Sequence, residues 1–474
     1  MNEDLGPLIP EVALAVAAVG GLLAGSWLPR GRQWAVGVLA AAACATGLAA
    51  TAVTLATGRE RAVFSDAFTV DTATSVGRLV VLGALLFVLA MSVETVRGDR
   101  RETEYYVLLL LTGLGTLAMI GANDLLTLFA GYLLASVPAY ALAGFAKDAA
   151  GTEAALKYYL MGALLGVVLL AGTAILYGAG GATLYGELRA TLPDAPYGLV
   201  AVGLVAVLAG LLFKVGGVPA HYWVPDVTDG ATAPVAAYVT TLPKVGGLIA
   251  AYRLLHQALP ASDVDWPLLV AVLAAASMTL GNLAAFFQTS VKRLLAYSTI
   301  SQVGYLLMAV AVATRAELAQ SGLLFYLAAY AVTNLGAFAV VTELPHARTL
   351  DDYRGLAARR PALAAVLVVC LLGLVGTPPT GVFLGKLLVF SAAIDGGYGW
   401  LAALAVVNTV ASLFYYLRWL GPLFRTAPAG PPAVAHTVLG TWSAATACTA
   451  AAVSLLLGVA GGAVLPLTAG ALLP

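Results

Sequence analysis

Apolar runs of about 20 residues or more alternate with short polar breaks along the whole chain. A run of that length, wound as α-helix, crosses a hydrocarbon core about 30 Å thick. The alternation predicts roughly fourteen spans, at about 7–28, 33–57, 74–96, 104–121, 123–146, 153–178, 196–222, 230–257, 265–288, 291–313, 317–343, 361–393, 397–424 and 436–463. The short, strictly alternating segments of a membrane barrel are missing from the sequence. The expected fold class is an all-α polytopic membrane protein with about 14 transmembrane helices.

Two spans carry breaks. The seventh contains Gly216, Gly217 and Pro219, and the twelfth reads Gly376-Thr377-Pro378-Pro379-Thr380-Gly381. Proline cannot donate a backbone hydrogen bond and glycine weakens a helix, so both are expected to open there. Spans four to eight can be laid over nine to thirteen. The offset of five is odd, so the second copy is inverted. The chain then divides into an N-terminal three-helix segment (1–103), two inverted five-helix repeats (104–257 and 265–424) with broken seventh and twelfth helices, and a C-terminal helix (436–474). Paired broken helices in inverted repeats point to a transport site at the repeat interface.

Only 10% of the residues are charged, and net formal charge is zero. Positive charge in the breaks is lopsided. Arg30, Arg32, Arg97, Arg100, Arg101, Lys147, Lys292, Arg293, Arg348, Arg354, Arg359, Arg360, Arg418 and Arg425 fall on one side. Arg59, Arg61, Arg189 and Arg315 fall on the other. The positive-inside rule then places the N- and C-termini outside. The acidic start MNEDLG lacks the basic region of a cleavable secretion signal. Cys44, Cys370 and Cys448 lie far apart in apolar runs and read as small fillers. No loop is long enough for a nucleotide-binding strand–helix unit, no metal-ligand spacing occurs, and no nucleic-acid partner is expected. RTAPAGPPAVAH reads as a Pro-rich connector.

Four lysines stand inside or at the edge of apolar runs: Lys157, Lys214, Lys244 and Lys386. A charged lysine at mid-membrane costs about 2.5–3.5 kcal/mol on insertion scales. Such residues mark ion paths, because a lined cavity is what tolerates them. An amine in a low-dielectric interior exchanges its proton more readily than one in water. The four form a lateral chain by sequence order, with Lys157 nearest the inner surface, where it also has the option of snorkelling. His221 follows the break in the seventh span. It reads either as a proton relay or as a plain interfacial histidine beside an aromatic belt of Tyr222 and Trp223. Asp226 and Asp229 read as structural. Tyr297, Ser298, Thr299, Ser301, Gln302 and Tyr305 give the tenth span a polar stripe, suited to ordered water or to interhelical hydrogen bonds, and Asn334 and Asn408 read alike.

The segment KVGGVPAHYWVPDVTDGATAPVAAYVTTLPKVGG resembles the seventh-to-eighth helix block of the antiporter-like subunits of complex I. KRLLAYSTISQVGYLL and GTPPTGVFLGK are similar to two further blocks, so the resemblance runs from about 105 to 390. The wider family includes subunits of multisubunit cation/proton antiporters and membrane-bound hydrogenases. The resemblance implies that Lys214 is the central proton carrier, and that Lys244, Lys386 and Lys157 match the eighth-, twelfth- and sixth-helix lysines. It implies a proton-translocating subunit of a complex I-type NADH:quinone oxidoreductase in the inner (plasma) membrane. Its partners would be other membrane subunits, protons, water and the lipid bilayer. No cofactor is expected on this chain; FMN, iron–sulfur clusters and quinone would sit on partner subunits. One position departs from the family. The fifth-helix glutamate that normally pairs with the seventh-helix lysine falls at Leu133, with Glu94 and Asp124 as possible substitutes. Two alternatives stand beside this reading: a subunit of a multisubunit cation/proton antiporter, and a non-pumping structural membrane subunit.

Overall fold

The structure, a computed structural model, describes residues 6–260, 263–426 and 441–473. The first five residues, most of the Pro-rich connector and the start of the last predicted span lie outside them. The helices are α1 (Ile9–Trp27), α2 (Trp34–Thr57), α3 (Thr72–Val96), α4 (Glu102–Gly121), α5 (Leu125–Ala143), α6 (Ala149–Gly180), α7 (Tyr185–Thr191), α8 (Tyr197–Val215), α9 (Trp223–Gly230), α10 (Ala233–Ala258), α11 (Trp266–Ala285), α12 (Val291–Ala311) and α13 (Leu318–Glu343). They continue with α14 (Leu356–Arg359), α15 (Pro361–Val375), α16 (Gly381–Asp395), α17 (Gly399–Leu423), α18 (Thr441–Val459) and α19 (Gly461–Val464). Among the described residues, thirteen helices are long and apolar enough to cross a membrane. The twelfth predicted span is divided between α15 and α16, which accounts for the fourteenth.

The polar breaks work largely as helix caps. Asp71 accepts from the Thr74 amide at the start of α3, Asp124 from Leu126 and Thr127 at α5, Asp148 from Gly151 at α6, and Asp265 from Leu268 at α11. Each satisfies donors that the first helical turn leaves unpaired. One element escaped the sequence pattern. Arg61–Val63 and Phe68–Val70 form a small antiparallel hairpin, β1 and β2, between α2 and α3, too short to register as a periodic run. Among the described residues, the fold is therefore all-α apart from this hairpin.

Both broken spans open where glycine and proline predicted. α8 ends at Gly216 and α15 at Gly376, with φ of 75° and 89°, left-handed values that suit glycine. The seventh span is thus shorter than expected as a helix, and α9 resumes at Trp223 after the turn. The helices adjoining the breaks, α10, α12 and α13, are buried over almost their whole length, whereas α1, α2, α6, α17 and α18 expose much of their surface.

Several helix pairs approach through glycine, α4–α5 and α11–α12 among them. A Cβ at Gly115 of α4 would come within 2.2 Å of the Ala135 backbone nitrogen in α5, and one at Gly131 within 2.9 Å of Met119. In α11 and α12, a Cβ at Gly281 would come within 2.5 Å of the Ser301 nitrogen, and one at Gly304 within 2.4 Å of Met278. Backbone cannot yield as a flexible side chain does. Gly281→Val should therefore cost at least about 1–3 kcal/mol. The purified protein should show this as a lowered thermal transition, while Gly83→Val, with open space around its Cβ position, should leave the transition in place.

Candidate functional site

Lys214 sits in the last turn of α8 and is 1% exposed. Its amine donates to the Ser136 hydroxyl of α5 at 2.8 Å and lies 5.6 Å from the centre of the Tyr132 ring. Ser136 in turn donates to the Tyr132 carbonyl at 2.6 Å. The face of α5 that meets the lysine is therefore Tyr132 and Ser136, one turn apart. Leu133, where the family acid is expected, points off that face and is 40% exposed. Neither possible substitute reaches the amine. Asp124 caps α5, and Glu94 accepts from the Trp442 amide and the Ser443 hydroxyl at the start of α18.

Lys244, fully buried in α10, donates to the Val239 carbonyl of its own helix at 2.8 Å and lies 5.4 Å from the Trp223 ring centre. A Cβ at Gly216 would stand 3.7 Å from its Nζ, so the amine borders the break below α8. Trp223 is itself buried. It stacks on Tyr158 at 4.3 Å and donates from its indole to the Phe213 carbonyl. The expected aromatic belt is thus half right: Tyr222 is exposed, but Trp223 is core.

Lys386, in α16, is 3% exposed. Its amine donates to the Val375 carbonyl at 2.9 Å and to the Thr409 hydroxyl at 3.2 Å, with the Tyr305 ring centre 4.1 Å away. Among α10, α12, α13 and α15 lies a band of side-chain hydrogen bonds in two groups; among the described residues no bond joins the groups and none reaches either amine. Asn334 donates to Thr240 and Thr241. Tyr330 donates to the Thr240 carbonyl at 2.7 Å and accepts from the Thr299 hydroxyl at 3.0 Å. One turn along α12, Gln302 accepts from Tyr326 and donates to the Leu374 carbonyl at 2.8 Å. The side chains of Tyr326, Tyr330 and Asn334 share one face of α13 at a spacing of four. That stripe was visible in the sequence, and only Asn334 was picked out of it. The polar face of α12 does hold helices together, and the Ser301 hydroxyl is left buried and unpartnered.

Lys157 departs from the expected row. Its side chain is 43% exposed, and it pairs with Glu153 and Asp226, each at 2.7 Å. Asp226 also pairs with Arg293 at 2.7 Å, and Asp229 accepts from Ser290. Glu153, Asp226, Asp229 and Arg293 line an open cavity beside α6 and α9. The first turns of α6 lie close enough to solvent for a lysine there to be ion-paired rather than stranded in the core. His221 is 5% exposed, in the turn between α8 and α9, with a buried Nδ1 that has no hydrogen-bond partner.

Two buried ion pairs went unnoticed in the sequence. Arg78 of α3 meets Glu11 of α1 at 2.8 and 2.7 Å, and Arg253 of α10 meets Asp71 at 2.8 Å. A charged residue inside an apolar run was the available signal for both arginines.

The stretch 122–412 matches the family described as NADH:quinone oxidoreductase/Mrp antiporter, transmembrane. Over 98% of both chains, the sequence is 57% identical to NADH-quinone oxidoreductase subunit N 1 of Streptomyces griseus and 52% identical to subunit N of a Mycobacterium species. A chain of respiratory complex I from Thermus thermophilus superposes with a TM-score of 0.84 at 33% identity, covering 98% of this chain and 100% of that one. With the break-bearing helices and buried amines falling inside the matched stretch, this chain belongs to the NADH:quinone oxidoreductase/Mrp antiporter transmembrane family, alongside its subunit N members.

Proposed function

We propose that this chain is a proton-translocating membrane subunit of a complex I-type NADH:quinone oxidoreductase. It works as a multi-pass protein of the bacterial inner membrane, with both termini outside. Flavin, iron–sulfur and quinone chemistry belongs to partner subunits, and this chain moves protons beside them. The observation that carries the reading is the buried row: Lys214, then Lys244, then the Asn334–Tyr330–Thr299–Gln302 band, then Lys386. Hydroxyl and amide side chains both donate and accept, so the band sets polar groups in the core shared by amines otherwise enclosed in apolar packing.

In this reading Lys214 is the switching carrier, held by Ser136 in place of an acid. Lys244 relays from it, and Lys386 is the exit-side relay. Lys157 and His221 serve the inner mouth, Lys157 as one member of the ionic cluster around Asp226. Two inverted repeats of five helices frame the row. The matched glycine contacts of α4–α5 and α11–α12 support that division, as do the matched left-handed glycines at the two breaks.

The test is Lys386→Met in the assembled complex, reconstituted in vesicles. NADH:quinone reduction should continue while protons moved per electron fall. Unchanged proton transfer removes Lys386 from the path. Pumping that requires sodium in the parent complex returns the chain to the cation-antiporter reading.

A further inference from the structure

The two buried relay amines rest on the same kind of acceptor. Lys244 donates to the carbonyl of Val239, and the residue four positions on from Val239 is Pro243. Lys386 donates to the carbonyl of Val375, the last residue of α15, which is free because the helix ends at the left-handed Gly376. Inside α10 the Val239 carbonyl would be taken by the N–H of residue 243, and proline has none. A second carbonyl is engaged beside each. Leu374, in the last turn of α15, accepts from Gln302, and the Thr240 carbonyl accepts from Tyr330. At both places a lysine takes one freed carbonyl, and a side chain of the band takes its neighbour.

We infer that Pro243 is a positioning residue for proton transfer, withholding a backbone N–H so that the Val239 carbonyl holds the Lys244 amine. The reason lies in competition. A buried ammonium must be hydrogen-bonded, and a helix interior normally offers it no free acceptor. Proline supplies an acceptor with no added charge, leaving the amine free to lose its proton and leave. A carboxylate at the same place would hold it more firmly. One apolar ring at a chosen position thus does what a polar side chain would do elsewhere. The inference rests on the proton-relay reading above and adds a residue that never touches the proton.

Pro243→Ala is the decisive variant, because alanine is a stronger helix former and the interior of α10 gains a hydrogen bond in place of a gap. In the assembled complex in vesicles, the restored N–H should occupy the Val239 carbonyl, and protons moved per electron should drop by roughly tenfold or more. Quinone reduction and the content of assembled complex should stay near the parent's. Pro422→Ala, which removes a proline from the interior of α17, serves as the control and should pump normally. A cryo-EM structure of the Pro243→Ala complex gives the second readout: the Lys244 amine should have left the Val239 carbonyl. Normal pumping by Pro243→Ala, or an amine still seated on Val239, overturns the inference. The reading beneath it fails separately, when Lys244→Met itself pumps normally.

Discussion

Lys214→Met should leave the complex assembled and bring proton translocation through this chain down by at least about 100-fold, the usual scale for removing an essential proton-transfer group. Retained assembly is the part that the geometry makes specific. The amine has the Ser136 hydroxyl as its side-chain partner, and that hydroxyl is already committed to the Tyr132 carbonyl. Deleting the amine therefore leaves no buried donor stranded, and methionine fills nearly the same volume without needing an acceptor. A vesicle assay that follows lumen acidification and NADH oxidation together separates the two effects. Full pumping in Lys214→Met would remove the switching role. Ser136→Ala should be milder, because the aromatic face of Tyr132 still meets the amine.

Arg253→Met should do the opposite, destabilising the protein by about 3–5 kcal/mol, as loss of one partner of a buried ion pair does. Both side chains of the Arg253–Asp71 pair are fully shielded, and the guanidinium also holds Thr74 and the Ile120 carbonyl, joining α10 to α3 and α4. Without it, the Asp71 carboxylate is left buried and uncompensated. The double variant Arg253→Met with Asp71→Asn should recover most of the loss, because asparagine keeps the cap on α3 and carries no charge. Thermal unfolding of the purified complex, or the amount of this chain retained in membranes, reads the difference. Equal stability of the single and double variants would show that the pair carries little.

The spans were legible because membrane crossing imposes one rule on every helix, a long apolar run, and each predicted run has its helix or helix pair. The breaks at Gly216 and Gly376 were legible for a related reason: glycine and proline act locally, on their own backbone. What the sequence could not disclose was which way side chains face. Leu133 stands where the family resemblance puts an acid, yet it looks away from Lys214, and its neighbours Tyr132 and Ser136 meet the amine. Lys157 reads from sequence as nearest the inner surface and free to snorkel, but its ionic partners there, from α9 and, through Asp226, α12, are distant in sequence. The pairing of Arg253 with Asp71 spans 182 positions and depends on packing that no local pattern records. The hairpin Arg61–Val70 was too short to leave a periodic signature at all.

Because α10, α12 and α13 are enclosed by other helices along nearly their whole length, the bilayer does not touch them. Whatever of the outer surface faces lipid belongs instead to outer helices such as α1, α2, α6 and α17, which can tilt or draw in their ends at a cost of fractions of a kcal/mol per Å of mismatch. The central trio is thus mechanically insulated. A cell that remodels its lipids with temperature can thin or thicken the surrounding film without resetting the spacing of the groups at the heart of the protein.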